Sequence, residues 1–234
     1  MRSCSVDSEM VVESICSLRG YDVERMDDIL REAEFIYLNG SFDIKKILPL
    51  NKDLGIVNDE GVFILKNRYI FPVKDMLGNV IALIGWYPDE KKYITTPSRL
   101  FSKDCLFYGM EQLSKTGRGA DYVITEGIFD SLSARACGLN CVAQMGITSS
   151  RYKEVLYTLF KNIIAVPDQD EQGRDVLLND KWKIPRSGKY FRWRCEYLSM
   201  KDLDDFCKNF LKEDIQELFK EILLDSNRVV VLEL

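Results

Sequence analysis

From residue 121 onward the sequence alternates between two periods, and that alternation is its strongest constraint on fold. "DYVITEG" (121–127), "NCVAQMG" (140–146) and "NIIAVPDQD" (162–170) are short runs rich in β-branched residues. Each is followed by a segment with helical spacing: "IFDSLSARACG", "SRYKEVLYTLF" and "EQGRDVLLNDKW". Strands separated by helices cannot pair as tight hairpins, so they lie parallel in one sheet with helices on its faces. "GKYFRWRCEYL" (188–198) adds a further strand, and "KDLDDFCKNFLKEDIQELFKEILL" (201–224) reads as a loop and then an amphipathic helix.

The first half has another character. Residues 7–36 read as helical, with Val11, Val12, Ile15 and Leu18 in a stripe before Gly20, and Met26, Ile29, Leu30 and Ala33 after it. Residues 39–56 are expected to form a loop, a short helix and a turn punctuated by Gly40, Pro49 and Gly55. Short strands follow at "VFIL" (62–65), "YIFPV" (69–73), "NVIALIGWY" (79–87) and "KKYITT" (91–96), the second and third joined as a hairpin through "KDMLGN". The expected class is α/β: a parallel sheet flanked by helices over 116–234, preceded by a smaller mixed α+β subdomain over 1–115.

Composition narrows the chemistry. There is no histidine among the 234 residues, which removes Ser-His-Asp and Cys-His catalysis and histidine bases. The seven cysteines form no CxxC pair, so no zinc site is expected and the thiols read as free, in a reducing compartment. The apolar runs, "VVVLEL" among them, are too short to cross a bilayer, and "MRSCSVDSEMVVES" lacks the order of a secretory signal. A cytoplasmic protein without a membrane partner is the expectation. The net charge of -5 is unevenly spread: residues 181–201 carry seven Lys or Arg against one Glu, and 66–118 carry nine against five acids.

The acids are placed unlike ordinary surface charge. Glu126 ends one strand and is followed by Gly127; Asp168 and Asp170 end another. Ligand sites in parallel sheets gather beyond the carboxyl ends of strands, so these acids can meet there. In "DQD", alternate positions of an extended chain direct both carboxylates into one site. Such charges repel unless Mg2+ or Mn2+ holds them together. The rival reading is that each acid only caps a helix, as Asp204 or Asp205 would for a helix beginning near Phe206. Asp202, Asp204 and Asp205 in "MKDLDDF" would otherwise add ligands for a second ion. "KWKIPRSGKYFRWRCEYL" mixes six basic residues with Trp182, Tyr190, Phe191 and Trp193, a combination suited to single-stranded nucleic acid through Lys189, Arg192 or Arg194.

"VITEGIFDSLSARACGLN" and "IIAVPDQDEQGRD" resemble the glutamate and Asp-x-Asp motifs of the Toprim domain, which bacterial-type primases share with type IA and II topoisomerases and several nucleases. "NRYIFPVKDMLGNVIALIGW" with "KKYITTPSRLFSKDCLFYG" is similar to the stretch that precedes this domain in bacterial-type primases, and "KDLDDF" to the family's later Asp-x-Asp element. The resemblance runs over roughly residues 50–210. It implies that Glu126, Asp168 and Asp170 are the principal catalytic and metal-binding acids, Asp202 and Asp204 the auxiliary pair. It also implies that Arg68, Lys74, Lys103 and Arg174 contact template or nucleotide phosphates.

The implied activity is synthesis of short RNA primers on a single-stranded DNA template from ribonucleoside triphosphates, with Mg2+ or Mn2+. The family's zinc-ribbon cysteines and helicase-binding region have no counterpart in this sequence. A phage or mobile-element primase is therefore expected, acting in an infected or element-carrying cell with a helicase or a separate zinc-ribbon protein as partner. A Toprim nuclease and a non-enzymatic replication or DNA-binding accessory protein are the alternatives.

Overall fold

The structure is a computed structural model and describes residues 8–38, 57, 63–89, 92–97, 102, 107–117, 119–146, 149–195 and 199–234. The chain divides into two compact units, Met1–Ser102 and Lys103–Leu234. The boundary expected at 115/116 falls earlier because Phe107, Met110 and Leu113 are buried in the core of the second unit.

In the first unit, helices α1 (Ser8–Arg19) and α2 (Val23–Glu32) are separated at Gly20, whose φ of +69° a residue with a Cβ adopts only under strain. Asp22 caps α2 by accepting from the Arg25 N–H at 3.1 Å. The helical reading to residue 36 runs too far: Glu34 turns the chain at φ 55°, and β1 (Ile36–Leu38) joins an antiparallel sheet. That sheet has the order β1-β2-β3-β4, with β2 (Arg68–Lys74), β3 (Val80–Tyr87) and β4 (Lys92–Thr95). Asp75 holds the expected hairpin turn, accepting from the N–H groups of Leu77 and Asn79 at 2.8 and 2.9 Å. Of the strand expected over 62–65, residue 62 lies outside the described residues; Phe63 makes one bridge with Val57, and a turn follows at 64–67 that ends at Asn67 with positive φ. The loop, helix and turn expected over 39–56 lie outside the described residues.

In the second unit α3 (Leu113–Thr116) precedes the expected alternation: β5 (Tyr122–Thr125), α4 (Ile128–Ala136), β6 (Cys141–Ala143), α5 (Arg151–Leu156), β7 (Ile163–Val166) and α6 (Glu171–Leu178). β8 (Lys189–Arg194), α7 (Leu203–Asn209), α8 (Lys212–Leu224) and β9 (Val229–Glu233) complete it. All four neighbouring strand pairs of the sheet β6-β5-β7-β8-β9 are parallel.

Strand alternation sorts the side chains between two cores. Tyr122, Ile124, Ile163, Ala165 and Tyr190 pack on one face with Phe107, Tyr157 and Trp182. Val123, Ile164, Val166, Phe191 and Trp193 pack on the other with α4, α7 and α8. Both faces being covered, β5 and β7 are buried at every position and read as unbroken apolar runs.

This packing corrects the reading of the aromatic strand. Trp182, Tyr190, Phe191 and Trp193 are 0 to 5% exposed, so they build the cores and offer no face to a base. β9 was legible only as an apolar run, because its partner β8 lies far away in sequence. Among the described residues no helix is long and apolar enough to cross a membrane.

Candidate functional site

Thr125 and Val166 are register partners at the C-terminal ends of β5 and β7, so the residues that follow leave the sheet side by side. Glu126 is half-buried, and its Oε2 is buried without a hydrogen-bond partner. Burial raises its pKa, the Asp170 carboxylate raises it further, and the Asp168 backbone N–H partly offsets both. Asp168 is pushed up to about 7, first by burial and then by Glu126, Asp202 and Asp170.

Asp170 has two duties. It is the N-cap of α6, its Oδ1 accepting from the Gly173 N–H at 2.8 Å, and its charge acts on Glu126 and Asp168. Gly173 is needed for that arrangement, because a Cβ there would stand 1.8 Å from the Asp168 carbonyl oxygen. The first turn of α6 thus lies directly on the backbone that carries Asp168.

Sequence reasoning missed Asp130. It occupies the third position of α4 and its Oδ2 accepts from the Gly127 N–H at 3.1 Å, closing the helix start in the manner of a capping box. Its Oδ1 accepts from the Asp204 N–H at 2.9 Å and so fixes the start of α7 against α4. Burial, then the charges of Asp202, Asp168 and Asp204, raise its pKa well above the carboxylate range. An acid three residues after Gly127 was a visible signal, but it also fits an ordinary helix start; the approach of α7 gives it wider meaning.

α7 begins at Leu203 rather than near Phe206, and its N-cap is Asp202, which accepts from the Asp205 N–H at 2.8 Å. Asp204, expected as an auxiliary ligand, is 1% exposed and accepts from Ser133 Oγ at 2.5 Å. Lys208 Nζ lies 3.0 Å from its other oxygen.

The basic residues divide. Arg192 Nε donates to Gln169 Oε1 at 3.1 Å, which sets the guanidinium beside the "DQD" segment. Desolvation lowers its pKa, Arg174 lowers it further, and Asp170 opposes both. Lys189 donates to the carbonyls of Asp225 and Asn227 in the segment that enters β9, whereas Arg194 makes only an exposed pair with Glu233 at 3.2 Å and keeps its guanidinium open to solvent. In the first unit, Lys74 pairs with Glu34 at 3.2 Å. Arg68 has Nε and one terminal nitrogen buried without a hydrogen-bond partner, and its guanidinium carbon is 5.3 Å from the centre of the Tyr87 ring. Lys103 lies outside the described residues.

Residues 123–207, which hold all of these acids, match the family described as Toprim-like. This part of the chain is a Toprim-like domain. Relatives extend the likeness beyond the Toprim-like domain. The DNA primase of Deinococcus radiodurans is 31% identical over 139 residues, 56% of this chain and 24% of that protein. The DNA primase of Clostridium acetobutylicum is 28% identical over 158 residues, 65% of this chain and 26% of that protein. The chain therefore spans about a quarter of the length of these curated relatives.

Solved structures are similar over a larger share of the chain. A DnaG primase catalytic domain bound to single-stranded DNA is similar with a TM-score of 0.75 at 20% identity, over 94% of this chain and 74% of that one. The E. coli primase catalytic core gives 0.72 at 19% identity, over 92% and 74%. The chain has the fold of a bacterial-type primase catalytic core, with its Toprim-like domain in the second unit.

The residues present fit a divalent cation. Glu126 and Asp168 are half-buried, Glu126 Oε2 has no hydrogen-bond partner, and the neighbouring charges that act on both are carboxylates. Hard oxygen ligands that repel each other in this way are the donor set that Mg2+ and Mn2+ take.

Proposed function

We propose that this chain is the catalytic core of a DNA primase, joining ribonucleoside triphosphates into short RNA primers on single-stranded DNA by metal-dependent nucleotidyl transfer. One observation carries the reading: Glu126 and the Asp168–Asp170 segment follow the register-paired ends of β5 and β7, where Asp170 acts on Glu126 and Glu126, Asp170 and Asp202 act on Asp168 as like charges that a divalent cation would neutralise.

Glu126, Asp168, Asp170 and Asp202 would hold Mg2+ or Mn2+. The bound ion would neutralise charge on the triphosphate and favour attack of a hydroxyl on the α-phosphate, with pyrophosphate leaving. Asp130 acts beneath this set by fixing the starts of α4 and α7 through its two accepted hydrogen bonds. Arg192, oriented by Gln169, and Arg174 supply positive charge beside Asp170, where a triphosphate would lie. Arg68 and Lys74 in the first unit would contact phosphates of the template or nucleotide.

The test incubates the protein with single-stranded DNA of mixed sequence, labelled ribonucleotides and Mg2+ or Mn2+. Short RNA products that disappear in Asp168→Ala and Asp170→Ala are expected. Metal-dependent cleavage of the DNA without synthesis would replace this reading with a nuclease. DNA binding that is indifferent to both substitutions and to metal, with no product, would replace it with an accessory protein.

A further inference from the structure

The acids at the start of α7 differ from those at the strand ends, because a cation from the chain itself already stands among them. Asp202, Asp204 and Asp205 place carboxylate oxygens within 4.8 Å of one another. Lys208 Nζ lies 3.0 Å from Asp204 Oδ2 and 3.6 Å from Asp205 Oδ1, since positions three and four residues apart share one helix face. Pairs of this spacing are usually exposed and weak. Here Asp204 is 1% exposed and the Lys208 side chain only 24%.

Both Asp204 oxygens have partners. Ser133 on α4 donates to Oδ1 and Lys208 faces Oδ2, while the Asp204 N–H bonds Asp130 on the same helix. Asp205 Oδ2 accepts from the Lys201 N–H at 3.2 Å. An ammonium is a compact point charge on a flexible stem, well suited to replace a metal ion among carboxylates.

We propose that Lys208 is the resident cation of this cluster, that Asp204 is a positioning residue joining α7 to α4, and that divalent ions bind only at the strand-end acids with Asp202. The proposal rests on the reading of those acids as a metal centre. Replacing Lys208 would convert the Asp204–Asp205 side into a divalent-cation site.

Manganese titration followed by the electron paramagnetic resonance signal of free Mn2+ tests this on the full chain without relying on activity. In a Glu126→Gln, Asp168→Asn double variant, bound Mn2+ is expected to be lost. Adding Lys208→Met to that variant should restore one ion per chain, and adding Lys208→Arg instead should restore none. An ion that stays bound to the double variant, and is released when Asp205→Asn is added, overturns the proposal even if the Lys208 variants do not fold. So does a triple variant with Lys208→Met that folds and binds nothing. If the double variant binds Mn2+ as the unaltered protein does, and Asp205→Asn leaves that binding in place, the metal-centre reading itself fails and the proposal falls with it.

Discussion

Replacing Asp168 with asparagine should stabilise the metal-free protein at pH 8, although it removes an acid from the centre of the site. Burial and the neighbouring carboxylates push the Asp168 pKa from 3.8 to about 7. A carboxyl with a raised pKa binds its proton more tightly in the folded chain than in the unfolded one. Its contribution is therefore fully present at pH below the unfolded value and is lost as pH rises through the folded value. Between pH 5 and pH 8 the loss amounts to about 2.5 kcal/mol at most, and to about 1 kcal/mol once solvent screening of a half-buried group is allowed for.

Asparagine keeps the shape of the side chain and has no such proton to lose. Urea unfolding in EDTA at both pH values measures the effect. The unaltered protein should lose stability from pH 5 to pH 8, and Asp168→Asn should lose less by roughly that 1 kcal/mol. Some decline should persist in the variant, because Glu126 and Asp130 are shifted in the same direction. A variant less stable than the parent at pH 8, or a difference between the two that does not change with pH, would refute the electrostatic account of the site.

Gly173→Ala should cost at least about 2 kcal/mol in urea unfolding and weaken Mn2+ binding, because the new methyl collides with the Asp168 backbone; near-neutral stability would show that α6 can shift. Ser133→Ala leaves the buried Asp204 carboxylate short of one donor and should cost about 2 kcal/mol. A loss too small to resolve in the same assay would mean that Lys208 alone meets that charge. Arg192→Gln should leave stability nearly unchanged and raise the KM for ribonucleotides about tenfold, a difference of about 1.4 kcal/mol. An unchanged KM would remove Arg192 from the nucleotide site.

The strands and helices of the second unit were legible in the sequence because period and punctuation are local properties. "YVIT" and "IIAV" declare buried strands, the segments after them declare helices, and such units give a parallel sheet. The placement of Glu126, Asp168 and Asp170 at strand ends followed from the same reading, since a parallel sheet puts all its carboxyl ends on one side. Where neighbours far along the chain decide, the local pattern has two meanings. Asp130 and Asp204, 74 residues apart, become one structure only when α7 meets α4. In β8, Phe191 and Trp193 would serve base stacking if α7 and α8 did not cover them, and Lys189 would be available to DNA if the chain entering β9 did not take its ammonium. Sequence determines which residues can be strand, helix or acid at a boundary; burial and charge pairing depend on what packs against them, and that is settled only when the whole chain has folded.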